Sequence, residues 1–422
     1  MSDTLRPLTK EEHLLLKLKE RELAALLEIT QSINGEPSDD NLYKIFQFTL
    51  LGQLGVRQLA VYVTEDGQWR CPVAFGPGIP DFRGIDLPEQ LQRFPPEHPV
   101  NVADLELGQP WHHFASVLPV RQSDQLLGLV FIGLPHHNYT ATAEARREAV
   151  SFIESLSQIL LGAVSSRRLV RQQVQAAAVR KEIEIAQEVQ AMLFPNKLPN
   201  DQQVAVHATY VPHTAVGGDF YDVVAIDKER FLFCVADVSG KGVGASLLMS
   251  NFQAGLRTLL RQQAELATVV GELNNLIFRN SGGDRFITAF FGVYHRGTRE
   301  LEYVNAGHND PLLMPDVGRG PVQVLKTGTI MLGVMEELPM LKVGRVQVPP
   351  HSTLLNYTDG LTEVFNQAGD EFGEEGVLQT MQEHRYLPLP KLHDELLRRI
   401  TAFNVKGTHY ADDITILTCR FR

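Results

Sequence analysis

A stretch of about fifty residues with hardly any glycine or proline most constrains how this chain can fold. It runs from about Ala143 to Leu193, and its second half is dense in Arg, Gln, Ala, Glu and Val. Such a segment favours one long helix, which Pro195 ends because proline has no amide proton to donate. A long helix in the middle of the chain predicts a separate domain on each side of it.

The length agrees with this division, since 422 residues make two or three domains at roughly 100 to 200 residues per domain. We predict an α+β chain of four parts. They are an N-terminal helix over residues 1–37, an α/β domain over 38–164, a linker helix over 165–194 and a larger domain over 195–422.

The charge balance excludes some partners. The chain has 39 Lys and Arg against 50 Asp and Glu, a formal net charge of −11, which disfavours binding of nucleic acid or an anionic membrane by bulk charge. The longest apolar run, Leu126 to Leu134, is shorter than the roughly 18 residues that span a bilayer, and the N-terminus lacks the apolar part of a signal peptide. We expect a cytoplasmic protein with no nucleic-acid and no membrane partner. Its three widely spaced cysteines favour neither disulfides nor a zinc site.

Two helical segments carry apolar residues at heptad-like steps. They are Leu16, Leu23, Leu26 and Ile33 in the first helix, and Val174, Ala178, Ile185, Val189 and Met192 in the linker helix. Glu182 interrupts the second seam. The pattern predicts a homodimer through these helices, with the linker register carrying a signal between domains. The alternatives are a first helix that packs on its own domain and a linker that is only a rigid spacer.

The segment from Asp39 to about Val164 has the order helix, strands, helix. Apolar runs on either side of Glu65-Asp66-Gly67 and of Gln122-Ser123-Asp124 predict two β-hairpins. With the long helix that follows, this order resembles a GAF sensor domain, which implies a dimerising signal relay or an unknown small ligand. We assign no cofactor-binding residue, because the three candidates for holding a chromophore are of kinds that more often have no chemical role: Cys71, His112 and His113.

After Leu198, apolar runs repeatedly end at, or begin from, an aspartate beside a glycine or another small residue. The segments are Gly217-Gly218-Asp219, Ala236-Asp237-Val238-Ser239-Gly240, Thr358-Asp359-Gly360 and Asp412-Asp413. Glycine lets the chain turn without steric cost, so that the carboxylate can reach inward. One Asp-Gly is usually only a turn, but several converge naturally if the strands belong to two packed sheets.

Several carboxylates in one cleft would repel each other and raise each other's pKa unless divalent cations lay between them. Oxygen ligands with few His or Cys favour Mg²⁺ or Mn²⁺ over zinc. Two such ions can polarise a phosphoryl group and lower the pKa of bound water. The pattern therefore predicts metal-assisted phosphate hydrolysis.

Five segments over about residues 189–422 together resemble a known family. They are "AVGGDFYD", "VADVSGKGVGAS", "RFITAFFGVYHRGTRELEYVNAGHN", "LLNYTDGLTEVFNQAGDEFGEEG" and "DDITIL". They look like the PPM (protein phosphatase 2C-type) metal-dependent Ser/Thr phosphatases, in the bacterial branch typified by SpoIIE and RsbU. The resemblance implies an αββα sandwich with two Mn²⁺ or Mg²⁺ ions at one edge. It also implies hydrolysis of phosphoserine or phosphothreonine in proteins by a metal-bridging water.

The same resemblance implies roles for individual residues. Asp237 matches the aspartate that bridges both metals, and the carbonyl of Val238 matches the adjacent backbone ligand. Asp359 and Asp412 match ligands of the second metal. Asp219 matches the carboxylate that holds the first metal directly or through water. Supporting positions are Asp413, in a slot often filled by Asn, and the glycines Gly217, Gly218, Gly240 and Gly360.

The chain also departs from the family pattern. Many eukaryotic members have Asp-Gly-His where this chain has Asp237-Val238-Ser239, so the usual general acid is missing. His308 either protonates the leaving serine or only braces the site. Asp310 and His351 replace the Pro and Gly common in the branch. The segment has no arginine clamp, so phosphate should bind mainly through the metals and specificity should come from surface docking. The stretch Ala245 to Arg261 resembles the family's regulatory helices or is ordinary packing.

We therefore predict a metal-dependent protein-serine/threonine phosphatase regulated by a GAF-like domain. By resemblance to its branch, its substrate is a STAS-type anti-anti-sigma factor or a similar partner-switching phosphoprotein. Two other hypotheses stay open. One is a catalytically silent dimeric signalling scaffold, and the other is a nucleotide or nucleic-acid phosphohydrolase, which the acidic composition disfavours.

Overall fold

The computed structural model describes residues 10–35, 38–65, 67–122, 124–134, 143–262, 265–316, 320–404 and 412–422. Asp66 and Ser123, from the turns of the two predicted hairpins, lie outside the described residues. The chain divides into two compact units, Met1–Ala177 and Ala178–Arg422.

The first unit is an antiparallel five-stranded sheet with helices. The helices are α1 (Lys10–Asn34), α2 (Asp39–Leu54), α3 (Glu89–Arg93) and the first part of α4 (Ala143–Ala191). The strands are β1 (Leu59–Glu65), β2 (Gln68–Phe75), β3 (Val100–Asn101), β4 (Ser116–Gln122) and β5 (Gln125–Ile132), in the order β2-β1-β5-β4-β3. The two predicted hairpins are the pairs β1–β2 and β4–β5. The assignment of this unit as a GAF-like sensor domain stays a prediction.

Both faces of this sheet are covered by apolar side chains. Helices α1, α2 and α4 cover one face, where Ala25 and Ile29 of α1 are buried, so the first helix packs on its own unit. Aromatic rings close the other face: Tyr62, Phe82, Trp111, Phe114 and Phe131. Cys71 lies in this second cluster, where burial raises the pKa of its thiol to about 12 and keeps it protonated at neutral pH.

Helix α4 is the long helix predicted from the sequence, and it ends at Ala191, before Pro195. Its apolar side chains Ile153, Leu156 and Leu160 are buried in the core of the first unit. By length and composition, Arg146–Ala191 is the one helix in the described residues that could span a membrane. This is weak support for a span, since 39% of its most apolar window is buried inside the protein.

The second unit contains eleven strands and four further helices among the described residues. The strands are β6 (Val204–Val211), β7 (Phe220–Ala225), β8 (Arg230–Val238), β9 (Ile287–His295), β10 (Glu300–Ala306), β11 (Leu312–Met314), β12 (Gln323–Val324), β13 (Gly328–Thr329), β14 (Gly344–Gln347), β15 (Ser352–Tyr357) and β16 (Ile414–Phe421). The helices are α5 (Val243–Arg261), α6 (Leu266–Ser281), α7 (Gly373–Glu383) and α8 (Leu389–Phe403).

These elements form four layers, as an αββα sandwich requires. One sheet has the order β13-β10-β9-β8-β7, with β14 also paired to β10, and the other has the order β12-β11-β15-β16-β6. Apolar residues of both sheets, such as Phe233 and Leu417, form the core between them. Helices α5 and α6 cover the outer face of the first sheet, and α7 and α8 cover that of the second. The predicted sandwich is confirmed.

Candidate active site

The predicted acidic residues meet at one end of the sandwich. Asp219 directly precedes β7 and Asp237 lies near the end of β8, and these antiparallel strands pair Phe220 with Ala236. In the other sheet, Asp359 follows β15 and Asp412 shortly precedes β16, and these strands are also antiparallel neighbours. Antiparallel pairing therefore places the end of β8 beside the beginning of β7 in the first sheet. In the second sheet it places the end of β15 beside the beginning of β16.

Two threonine hydroxyls join the sheets at Asp219. The carboxylate is 1% exposed, and its Oδ2 accepts hydrogen bonds from the hydroxyls of Thr358 (2.8 Å) and Thr415 (2.6 Å). Thr358 directly precedes Asp359, and Thr415 lies in β16. The two threonines thus fix the buried carboxylate of one sheet to the acidic strand ends of the other.

The acidic groups raise each other's pKa, as close carboxylates without a bound cation must. Burial, and then the charges of Asp359 and Asp412, raise the pKa of Asp237 to about 7. Burial, and then Glu363 and Asp412, raise the pKa of Asp359 to about 6. The pKa of Asp219 is raised by burial and then by Asp237. The cluster therefore retains protons near neutral pH unless a cation replaces them.

A lysine already neutralises part of this charge. The Nζ of Lys241 lies 2.8 Å from Oδ2 of Asp412, and both side chains are about half exposed (51% and 42%). Lys241 follows Gly240 in the loop after β8, so the segment that carries Asp237 also supplies this cation. The sequence analysis did not assign it a role.

The contacts of Asp413 differ from those of Asp412. It is 6% exposed, and its two carboxylate oxygens accept hydrogen bonds from the backbone N–H groups of His213 (2.7 Å) and Gly218 (2.8 Å). Both bonds hold the loop before Asp219. The structure thus favours a bracing role for Asp413, while its predicted membership of the metal site stays a prediction.

The predicted glycines leave room for close contacts. A Cβ on Gly217 would lie 2.1 Å from Oδ2 of Asp413, and one on Gly360 would lie 2.0 Å from the carbonyl oxygen of Asp413. A Cβ on Gly218 would lie 2.8 Å from the carbonyl oxygen of Val238, the proposed backbone ligand. Any larger residue would push the acidic segments apart.

Gly240 supports the loop after Asp237 in another way. It has a φ of +92°, and a Cβ there would lie 1.8 Å from Nη1 of Arg285. That Nη1 donates a hydrogen bond to the carbonyl oxygen of Ser239 (2.8 Å), while the hydroxyl oxygen of Ser239 accepts one from the Phe286 N–H (2.9 Å). An exposed arginine therefore lies against the loop that follows Asp237, although sequence analysis found no arginine clamp.

His308 is buried between the two sheets. Its Nδ1 lies 2.9 Å from the hydroxyl of Thr288 on β9, and its backbone N–H donates to Oδ1 of Asn305 (2.8 Å). Burial lowers the pKa of His308 to about 4, and the backbone of Tyr357 opposes this only in part. The imidazole is therefore neutral at physiological pH, which favours bracing over proton donation to a leaving serine.

The end of α4 also reaches the site, through a residue that sequence analysis missed. The side-chain amide of Gln190 is buried, with 6% of the residue exposed. It donates to the carbonyl oxygen of Gly217 (2.8 Å) and accepts from the Gly217 N–H (3.3 Å). Gln190, Thr358 and Thr415 are ordinary residues in sequence, and only the pattern of their contacts identifies them.

The donor set suits Mg²⁺ or Mn²⁺ in kind, because its side-chain donors are the carboxylate oxygens at these strand ends. As the side chains stand, no group of three or more His, Cys, Asp or Glu among the described residues is arranged to hold a metal ion. Lys241 and the two threonines hydrogen-bond to oxygens of Asp412 and Asp219. Metal binding would thus need small side-chain movements, beginning with separation of Asp412 from Lys241.

Comparison with known proteins identifies the family of the C-terminal domain. The sequence pattern of the SpoIIE family, stage II sporulation protein E, matches residues 227–422. This region contains four of the five acidic residues discussed above, from Asp237 to Asp413. The C-terminal domain belongs to the SpoIIE family of PP2C-type phosphatase domains.

Similar proteins support the assignment of this SpoIIE-family domain. Protein IcfG of Synechocystis sp. is 25% identical over 294 residues, which are 63% of this chain and 44% of IcfG. The phosphoserine phosphatase RsbU of Bacillus subtilis is 26% identical over 247 residues, which are 57% of this chain and 70% of RsbU. The chain thus spans less than half of IcfG and about two thirds of RsbU.

A solved structure shows the same fold. The PP2C domain of SiaA from Pseudomonas aeruginosa superposes with a TM-score of 0.51 at 21% identity, covering 59% of this chain and 99% of that domain. At this level of identity the likeness concerns the fold alone. It agrees with the four layers of the second unit.

Proposed function

We propose that this chain is a metal-dependent protein-serine/threonine phosphatase. The observation that carries the proposal is the meeting of Asp219, Asp237, Asp359 and Asp412 at one end of the αββα sandwich of a SpoIIE-family domain. Such a site attracts divalent cations, and cations in an acidic cleft make it able to receive a phosphate group.

Two Mn²⁺ or Mg²⁺ ions would be held by Asp219, Asp237 and the Val238 carbonyl on one sheet, and by Asp359 and Asp412 on the other. When bound, the ions supply Lewis acidity that activates water and neutralises charge on the phosphoester. Thr358 and Thr415 orient Asp219 for this task. Lys241, which lies beside Asp412, would add a positive charge close to the phosphate.

The proposed substrate is a phosphoserine or phosphothreonine on a partner-switching protein, with a STAS-type anti-anti-sigma factor as the leading candidate. The similarity to RsbU, a phosphoserine phosphatase, supports this choice. A pull-down with a metal-site variant, which should bind the phosphoprotein without hydrolysing it, would identify the partner.

The decisive variant is Asp237→Asn, assayed for Mn²⁺-dependent phosphate release from a phosphoserine protein. We expect a loss of activity of at least about 100-fold, because the Asp237 carboxylate would hold the metals and the metals would be the main source of catalysis. Asp394→Asn is the matched control, since Asp394 is an exposed aspartate on α8 that pairs with Lys391.

Equal rates for Asp237→Asn and the wild type would refute the phosphatase assignment. A silent scaffold would show neither phosphate release nor Mn²⁺ binding in a calorimetric titration. A panel that includes nucleotides would reveal a phosphohydrolase of another class.

For regulation, we propose that the first unit is a GAF-like sensor and that α4 pairs with a second copy of the chain as a parallel coiled coil. Several seam side chains of α4 are about half exposed or more in the single chain: Val174 (62%), Ile185 (50%) and Val189 (54%); Met192, directly after the helix, is 74% exposed. An apolar row of this kind is stabilised when a second helix covers it. Gln190 lies on the same helix and contacts the loop that carries Asp219, so a change of helix register would reach the site.

A further inference from the structure

Three arginines line a cavity at the other end of the sandwich, far from the acidic cluster. The cavity has a volume of about 240 Å³, and its lining includes Asp316, His351, Arg385, Tyr386, Arg420 and Arg422. It lies at the start of β15 and the end of β16, where Thr353 pairs with Arg420. Asp359 follows the opposite end of β15. At about 3.3 Å per residue, the strand separates the two places by roughly 20 Å.

The arginines have no negative partner in the described part of the chain, where every hydrogen bond that their side chains donate goes to a neutral oxygen. The acceptors are the carbonyl oxygens of Gln382, Arg385, Leu387 and Asp201, the hydroxyl of Thr353 and the amide oxygen of Asn200. These bonds fix the guanidinium groups in place without neutralising their charge. Asp316 is the single carboxylate side chain in the lining, against three guanidinium groups, so the side chains of the cavity have an excess of positive charge.

The charges also affect each other. Burial lowers the pKa of Arg420, and the neighbouring Arg422 lowers it further. Two like charges held together in a partly buried place favour an anion between them. Guanidinium groups are well suited to phosphate, since their planar donors match two of its oxygens.

His351 adds a second, independent feature. It has a φ of +61°, which is uncommon for a residue with a side chain, and it stands where the family often has glycine. His351 and the exposed Tyr386 (74%) both line the arginine cavity. Backbone strain that persists at one position is a common mark of a functional site.

We propose that this arginine cavity binds a small phosphate anion, such as inorganic phosphate or pyrophosphate, at a site separate from the acidic cluster. The volume favours a small anion, because pockets for drug-sized ligands are usually about 300 to 1,000 Å³. The proposal does not depend on the phosphatase activity.

The test is a calorimetric titration of the full chain with inorganic phosphate and, separately, with pyrophosphate. The Asp237→Asn variant serves as the background, so that phosphate held at the acidic cluster contributes little. We expect one site per chain. Adding Arg385→Gln and Arg422→Gln together should weaken binding by at least about tenfold, since charge-assisted hydrogen bonds are lost. Arg279→Gln changes another exposed arginine and should have no effect.

His351→Gly separates binding from folding. Glycine tolerates the positive φ, so the unfolding temperature should stay the same or rise while phosphate binding weakens about threefold from the loss of one donor. The proposal is overturned if the background variant binds neither anion, or if folded Arg385→Gln/Arg422→Gln protein binds them as tightly as Arg279→Gln does. Tighter binding of adenosine monophosphate than of either small anion would also contradict it.

Discussion

His308 illustrates how burial decides what a single residue can do. Sequence analysis left it as either a proton donor or a brace. The structure surrounds it with Thr288, Asn305 and the Tyr357 backbone, and burial lowers its pKa to about 4. A neutral imidazole is a very weak acid, so it is a poor proton donor to a leaving serine at neutral pH.

We therefore expect His308→Asn to lower stability by about 1 to 3 kcal/mol, because the Thr288 hydroxyl loses its buried partner. The shape of the pH–rate profile should stay the same. Urea unfolding and steady-state rates across the pH range measure the two effects. Thr288→Val is the matched control and should behave similarly. If the fall in rate at alkaline pH disappeared in His308→Asn but not in Thr288→Val, His308 would instead be the general acid.

The neighbours Asp412 and Asp413 should respond differently to the same change. Asp413→Ala leaves two backbone N–H groups unpaired, which should cost about 1 to 3 kcal/mol of stability. Asp412→Ala removes an exposed carboxylate paired with Lys241, so it should weaken Mn²⁺ binding with little loss of stability. Chemical unfolding in chelator and a Mn²⁺ titration would separate the two. Equal loss of stability in both variants would contradict this division of roles.

At the scale of elements, α4 exposes a row of apolar side chains that a second helix could cover. We expect the full chain to be a dimer by light scattering, and Val174→Glu with Ile185→Glu to shift it to a monomer, because charge in a coiled-coil seam is destabilising. Ala176→Glu with Gln187→Glu places the same side chains two residues further along, off the seam, and should leave the dimer intact. A wild-type chain that is monomeric at all concentrations would rule out the coiled coil.

At the scale of the whole molecule, the acidic cluster should make stability depend on pH and metal together. The raised pKa values of Asp237 (about 7) and Asp359 (about 6) mean that the folded, metal-free protein holds protons that the unfolded chain releases. Its free energy of unfolding should therefore fall as the pH rises from about 4 to about 7. Divalent ions bind the ionised carboxylates, so the increase in unfolding temperature with Mn²⁺ should grow over the same range.

Thermal unfolding at a series of pH values, with Mn²⁺ and with chelator, measures both effects. Asp394→Asn should follow the wild type, whereas Asp237→Asn should lose most of the Mn²⁺ effect. A Mn²⁺ effect that does not change with pH would show that these carboxylates are not the ligands.

The sequence by itself determined the long central helix, the two hairpins, the sandwich and the acidic strand ends, because each depends on local pattern or on short motifs in order. Asp219, Asp237, Asp359 and Asp412 were identified beside a glycine or another small residue at strand ends, and the structure brings them to one end of the sandwich.

Only the tertiary structure decided which other residues support them. Four supporting residues reach the cluster from strands, loops and a helix that are far apart in sequence: Thr358, Thr415, Lys241 and Gln190. Asp412 and Asp413 are adjacent in sequence, and their roles differ only because each side chain contacts different groups. The arginine cavity is a similar case, since Arg385 and Arg420 meet only where a helix connection packs against the end of a strand. Burial and hydrogen-bond partners set the charge and the role of each of these groups, and both arise only when distant segments pack together.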